Sequence, residues 1–121
     1  MGDYKLLTRA PYLMTSIMNR LKAIRSIRAK LNEGGYSLGS WMQIPHPSVA
    51  EITGQAGYDW VALDMEHGAV SAHQLPDLFR ALELGNTLPM ARVVQGYPKD
   101  CSQALGMGAG LSLQIKVVKI L

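Results

Sequence analysis

The pattern of apolar and polar positions predicts three short β-strands. They cover residues 37–43, 59–64 and 88–94. In the middle segment, residues 60–63 form the continuous apolar run Trp-Val-Ala-Leu, which indicates a strand buried on both faces and therefore favours a parallel sheet. A turn at Gly108-Ala109-Gly110 then predicts the start of a fourth strand.

Helical signals lie between these predicted strands. Ser48 and Glu51 form an S-x-x-E capping box, which predicts a helix that ends at Gly57. A second helix is predicted over residues 71–85, opened by Ser71 and Gln74, and a third from Pro98 to about Met107. The second helix has a predicted buried stripe made of Leu75, Leu78, Phe79 and Leu82.

A further helix is predicted before the first strand, ending at Gly34-Gly35. Its apolar stripe consists of Ile17, Leu21, Ile24 and Leu31. Residues 1–16 show no sustained period, so we expect a poorly ordered leader followed by one folded domain over residues 17–121. The repeated strand-helix alternation predicts an α/β fold with right-handed crossovers, either a doubly wound sheet or a barrel.

Composition narrows the class of protein. With 121 residues, 48% of them apolar, the chain can bury one core but has no room for a second full domain. The net charge of +3 comes from the two ends of the chain, where the first helix has a basic face that suits either an anionic partner or ordinary solvation. No nucleic-acid motif accompanies it and no apolar run is long enough to span a membrane, so neither partner is expected. Cys101 is the single cysteine, which fits a cytoplasmic location and a structural role.

Candidate chemistry gathers where the predicted strands end, because parallel α/β folds collect catalytic groups at the carboxyl edge of the sheet. The residues at these positions are Trp41, Gln43, Asp64, Glu66, His67 and Arg92. An Asp three residues before a His can orient the ring and raise its basicity, as a general base requires. The alternative is that Asp64 caps the following turn and that His67 packs against a loop.

Arg92 has two compatible interpretations. Its planar fork suits a carboxylate or a developing enolate, and it could equally form an ion pair with Asp64 or Glu66. His46 faces the same edge but is a weaker candidate, and His73 is expected on the surface of a helix. The glycines form no phosphate-binding pattern after a strand, so nucleotide binding has little support.

Four motifs taken together resemble the HpcH/HpaI aldolase family. They are Leu38-Gly39-Ser40-Trp41, the stretch 47–52 (PSVAEI), the stretch 56–68 (AGYDWVALDMEHG) and Ala91-Arg92-Val93. The resemblance covers roughly residues 20–110 and implies part of a (β/α)8 TIM barrel, about the first three βα units with a preceding helix. It also implies class II, metal-dependent aldol chemistry, a carbon–carbon lyase reaction on 4-hydroxy-2-oxo acids through a pyruvate enolate.

The resemblance further implies a role for each site residue. His67 would be the acid/base group assisted by Asp64, Arg92 would also bind substrate and stabilise the enolate, and Trp41 would shape the pocket wall. Gln43 is a further substrate-binding candidate because of its place at the end of the first predicted strand. Glu66 would support the site from behind. The substrates would be a 2-oxo acid such as pyruvate and an aldehyde, and the full-length family commonly forms homo-oligomers.

The chain also departs from the family pattern. The divalent metal of the family, Mg²⁺, Mn²⁺ or Co²⁺, is held by carboxylates from later strands, and this sequence has no counterpart of them. After Gly110 the sequence diverges from the family. The alternative function is therefore a catalytically silent barrel fragment or binding module. A partial barrel leaves strand edges unpaired, so we expect the isolated chain to fold weakly or to self-associate.

Overall fold

The described strands lie side by side in one parallel sheet with the order β1-β2-β3-β4. The computed structural model describes residues 20–94, 97–108 and 111–113 of the chain. The strands are β1 (Gly39–Met42), β2 (Trp60–Asp64), β3 (Leu88–Arg92) and β4 (Leu111–Leu113). The helices are α1 (residues 20–32), α2 (Pro47–Gly54), α3 (Leu75–Glu83) and α4 (Pro98–Gly106), with a 3-10 turn at Ala72–Gln74 before α3.

The predicted α/β architecture with a parallel sheet is confirmed. The first three strands fall inside the segments predicted for them, and β4 follows the predicted turn. The predicted leader, residues 1–16, and the end of the chain, residues 114–121, lie outside the described residues. None of the helices in the part that the structure describes has the length and hydrophobicity that crossing a membrane requires.

The beginning and end of α2 differ from the prediction. The Ser48–Glu51 capping box does not open this helix; the cap is His46, whose Nδ1 accepts a hydrogen bond from the Ser48 N–H at 3.2 Å. Pro47 explains why the helix begins earlier than predicted. The first helical position needs no N–H donor, and the fixed φ of proline suits a helix. The helix ends at Gly54 instead of Gly57.

The predicted start and buried stripe of the second helix are confirmed. Gln74 Oε1 accepts from the Ser71 N–H at 3.0 Å, and helical structure follows directly, its first turn being the 3-10 turn. The four apolar residues of the stripe are almost entirely inaccessible to solvent and belong to the main core. That core lies between helices α2 and α3 and one face of the sheet, which we call the outer face.

The opposite face, here called the inner face, is covered by α1. Ala23, Ile24 and Ile27 pack against the second hydrophobic cluster, which contains Ala62 and Met90. The cluster also includes Leu88 and is flanked by Trp60.

The predicted stripe of α1 is therefore wrong in part. Leu21 and Leu31 are 42% and 52% exposed, and Ile17 lies outside the described residues. The side that faces the sheet carries the apolar residues named above, and ion pairs accompany it, Arg20 with Glu83 at 3.5 Å and Lys30 with Asp59.

Gly39 is required by the aromatic packing at the start of β1. The parallel register places Gly39 opposite Trp60. A Cβ at position 39 would lie 2.0 Å from the indole ring of Trp60, closer than any real contact. The ring of Trp60 in turn meets the ring of Trp41 edge-on, with centroids 6.4 Å apart.

Candidate active site

The predicted site residues meet at the carboxyl edge of the sheet. Asp64 and Arg92 are the last residues of β2 and β3, and the parallel register places them opposite each other. Trp41 and Gln43 lie two positions apart at the end of β1, so they share a face of the sheet. These side chains come together because β1, β2 and β3 run parallel and therefore end at the same edge of the sheet.

Asp64 and Arg92 form a two-point ion pair. Arg92 donates from Nε to Asp64 Oδ1 at 2.9 Å and from Nη2 to Oδ2. The Asp64 side chain is 1% exposed and that of Arg92 is 14% exposed. The hydrogen bonds from Arg92 hold the pKa of Asp64 well below its ordinary range, against the desolvation that would raise it. Asp64 also raises the pKa of Arg92, so both groups are charged.

Trp41 supports the guanidinium from one side. The Arg92 carbon Cζ lies 4.6 Å from the centre of the Trp41 ring, within the range of a cation–π contact. Trp60 holds that ring from its edge at an interplanar angle of 86°. Sequence reasoning assigned Trp41 to the pocket wall but missed Trp60, whose signal was its position opposite Gly39 in the parallel register.

The loop after β2 is wound around the Asp64 carboxylate. Oδ1 accepts hydrogen bonds from the backbone N–H groups of Glu66 at 3.1 Å and His67 at 3.0 Å, as in an Asx turn. A Cβ at Gly68 would lie 2.4 Å from the Asp64 carbonyl oxygen, so the loop needs glycine there. One buried carboxylate therefore fixes both the arginine and the backbone that carries His67.

The His67 ring is open to solvent and close to a different carboxylate from the one expected. Its side chain is 67% exposed, and Nε2 lies 3.8 Å from Glu66 Oε2. Glu66 Oε2 is also 3.6 Å from Arg92 Nε. Glu66 thus stands between the ring and the guanidinium, although neither distance is that of a hydrogen bond.

The expected contact between Asp64 and the His67 ring is not what the structure shows. Asp64 binds the backbone N–H of His67, and its carboxylate is engaged by Arg92, Gln43 and the loop. The physical reason is burial at the end of a strand, where the guanidinium on the neighbouring strand reaches the carboxylate first. Asp64 as a turn cap and Arg92 as its ion-pair partner agree with the alternative interpretations, whereas the 67% exposed His67 ring does not fit the packing that the alternative expected.

The two remaining histidines and the single cysteine have local structural contacts. His46 caps α2, and His73 Nδ1 lies 3.0 Å from the Ser71 hydroxyl on an exposed turn. Cys101 is a free thiol that packs, half-buried, against the main core. No hydrogen bond or ion pair given for the described residues joins any of the three to the site.

The described residues do not fit a resident metal ion. Over residues 20–94 and 97–108 there is no group of three His, Cys, Asp or Glu side chains that could hold one. The Asp64 carboxylate already accepts hydrogen bonds from Arg92, Gln43 and the backbone of the following loop. Glu66 is the other carboxylate at the site, so the described part of the site offers a cation only one further carboxylate.

Comparison with known proteins identifies relatives of the chain. No family model matches it. The 4-hydroxy-2-oxovalerate aldolase of Novosphingobium aromaticivorans is 36% identical over 89 residues, covering 71% of this chain and 33% of the relative. A crystal structure of citrate synthase SbnG is 34% identical with a TM-score of 0.59, covering 69% of this chain and 34% of the other. An HpcH/HpaI aldolase/citrate lyase family protein from Burkholderia cenocepacia J2315 is 32% identical with a TM-score of 0.55, covering 60% and 30%.

The chain is a relative of the HpcH/HpaI aldolases. Further curated relatives are also named as aldolases, acting on hydroxypyruvate/pyruvate and on 2-keto-3-deoxy-L-rhamnonate. This chain spans about a third of the length of the curated HpcH/HpaI relatives that it matches.

Proposed function

We propose that this chain provides the oxyanion-binding part of an HpcH/HpaI-type aldolase, a carbon–carbon lyase that cleaves or forms 4-hydroxy-2-oxo acids through a pyruvate enolate. The observation that supports this most is the Asp64–Arg92 pair, a fixed guanidinium at the carboxyl edge of a parallel sheet. The names of the relatives support aldol chemistry in general. The sheet would be the first half of a (β/α)8 barrel, since its strands are parallel and in consecutive order.

Arg92 would bind the negative oxygens of the substrate. Its Nη1 makes no hydrogen bond to any described residue, whereas Nε and Nη2 are held by Asp64. A guanidinium that is already oriented stabilises charge on an enolate oxygen without reorganisation during the reaction. Trp41 would limit the motion of the guanidinium and close one side of the pocket.

His67 would move the proton. In the cleavage direction its ring would take the proton from the 4-hydroxyl group, the C3–C4 bond would break, and the electron pair would pass to the enolate oxygen at C2. An aldehyde would leave, and protonation at C3 would complete pyruvate. The exposed ring is free to meet a ligand, and its Nε2 lies 3.8 Å from Glu66 Oε2.

The family resemblance implies a divalent metal as an aid to the enolate, and the described residues do not provide its site. We therefore assign no step to a metal. The substrates would be a 2-oxo acid and an aldehyde, and a homo-oligomer is the expected assembly. The second candidate, a catalytically silent fragment or binding module, is favoured by that lack of ligands among the residues described.

Pyruvate release from 4-hydroxy-2-oxovalerate tests the proposal. Release is followed by coupling to lactate dehydrogenase and NADH, with and without Mn²⁺ or Mg²⁺. The His67→Ala variant should lose the activity and His73→Ala, which alters an exposed histidine outside the site, should keep it. Absence of release from the unaltered chain under every condition would reject the enzyme in favour of the silent module.

A further inference from the structure

The acceptor positions of the Asp64 carboxylate are filled from three parts of the chain. Oδ1 takes Arg92 Nε and the two backbone N–H groups of the loop, at 2.9 to 3.1 Å. Oδ2 takes Arg92 Nη2 and the side-chain amide of Gln43, whose Nε2 lies 3.1 Å away. A carboxylate offers about four lone-pair positions, so these five donors saturate it.

Gln43 differs from the other donors in its origin. It follows β1, whereas Arg92 ends β3 and the backbone donors belong to the loop after β2. Without Gln43, no contact that the structure gives for the Asp64 carboxylate would come from the β1 side. The neighbouring side chain on the same face of β1 is Trp41, which stacks on Arg92. Trp41 in β1 and Gln43 directly after it therefore contact the two halves of one ion pair.

We propose that Gln43 is a positioning residue that acts on Arg92 through Asp64. Its amide fixes the rotation of the carboxylate about its last bond, so that both oxygens meet the two donors of the guanidinium. Arg92 Nη1 is then held in one direction for a ligand oxygen. This inference deepens the proposed function and rests on it for the ligand, but the orientation of Arg92 can be measured without any ligand.

The first test is solvent exchange of the Arg92 Nε proton, measured by ¹H–¹⁵N NMR on the full chain. In Gln43→Leu the amide donor is lost, and exchange should become about tenfold faster, the effect of weakening one hydrogen bond to a charged group. Gln43 is itself exposed, so the substitution removes no core packing. The matched control is Gln103→Leu on the exposed side of α4, which should exchange at the wild-type rate.

A second variant separates positioning from mere space filling. In Gln43→Glu the introduced carboxyl group lies beside Asp64, whose like charge raises its pKa, and beside Arg92, whose opposite charge lowers it, so we expect it to titrate near the ordinary value of about 4.3. When protonated it can donate to Asp64 Oδ2 as the amide does, and when ionised it cannot. The ratio of variant to wild-type exchange rates should therefore be near one at about pH 3 and rise toward tenfold at about pH 7.

An unchanged Arg92 exchange rate in Gln43→Leu would overturn the inference, because water would then replace the amide without effect. A pH-independent ratio in Gln43→Glu would overturn it as well. Titration with sodium oxalate, a planar dianion resembling an enolate, separates the two proposals through the fluorescence of Trp41. If the exchange rates change as expected but oxalate fails to bind the wild-type chain, the positioning role holds and the proposed function fails.

Discussion

Replacing Asp64 with Asn isolates the energetic role of the buried carboxylate. Asn has nearly the same shape, but its amide nitrogen carries no lone pair for Arg92 Nη2 or for Gln43. Breaking a buried ion pair from one side costs 3–5 kcal/mol in general. Arg92 keeps 14% of its side-chain surface in water, so we place the loss of unfolding free energy at the lower end, about 3 kcal/mol.

The assay is urea unfolding of wild type and Asp64→Asn at pH 7, with Asp77→Asn as the matched control. Asp77 also pairs with an arginine, Arg80, at 2.9 Å, but it is 71% exposed. Such a surface pair contributes at most about 1 kcal/mol, so the control should stay close to wild type. If the two variants lose the same free energy within about 0.5 kcal/mol, the reasoning about burial is refuted.

The same variants predict a difference in pH dependence. The folded state lowers the pKa of Asp64, so its contribution to stability is fully present above the ordinary Asp value of about 3.9 and is lost as the pH falls below it. Asp64→Asn should therefore lose less stability than wild type between about pH 5 and pH 2. Asp59, whose pKa is lowered by Lys30, contributes to the slope of both proteins and cancels in the comparison.

Three further predictions concern the fold. Gly39→Ala forces a Cβ into the ring of Trp60 and should cost about 1–3 kcal/mol, with a changed near-ultraviolet circular dichroism spectrum; an unchanged spectrum would contradict this packing. Leu82→Ala empties a fully buried position and should cost about 2–5 kcal/mol in urea unfolding, where a smaller loss would mean that α3 is not part of the core. Ile44 and Ile52 are 62% and 72% exposed near β1, the first strand in the order of the described sheet, so the sedimentation coefficient should rise with protein concentration; a concentration-independent monomer would contradict this.

The positions of the site residues were predictable from the sequence, because strand ends can be located from apolar runs. The apolar residues 60–63 predict a strand that ends at Asp64, and Arg92 follows from the next strand in the same way. Parallel pairing then brings the two residues together without any further information. What the sequence could not provide is which group the carboxylate faces.

The partner of Asp64 depends on the direction in which its side chain points, and the spacing of residues along the chain does not determine that direction. A separation of three residues fits both a carboxylate that faces the His67 ring and one that accepts from the His67 backbone N–H. The structure shows the second arrangement because Asp64 still belongs to the strand and points toward the neighbouring strand, while the ring already belongs to the exposed loop. Asp64 ends a strand and His67 lies in the loop that follows, so their side chains point in different directions although they are close in sequence.

The face of α1 was unpredictable for a related reason. Apolar residues lie on more than one side of that helix, so periodicity alone permits several stripes. The buried side depends on contacts distant in sequence, because Ile24 packs against residues of β2 and β3 on the inner face. The ion pairs of Arg20 with Glu83 and of Lys30 with Asp59 lie toward the two ends of the helix.

Along the strands, the inner face changes from apolar side chains to charged ones, and this change determines the position of the site. Trp60 and Ala62 of β2 alternate onto the same face as Asp64, and they are covered by α1 at the amino-terminal end of the sheet. On β3, Met90 lies beside Ala62 and precedes Arg92 by two positions, so apolar core gives way to charge at the same level on both strands. A charge one step earlier would be sealed under the helix without water or partner. The Asp64–Arg92 ion pair therefore occupies the first inward-facing positions that α1 does not cover. A ligand would reach the guanidinium from the carboxyl edge of the sheet.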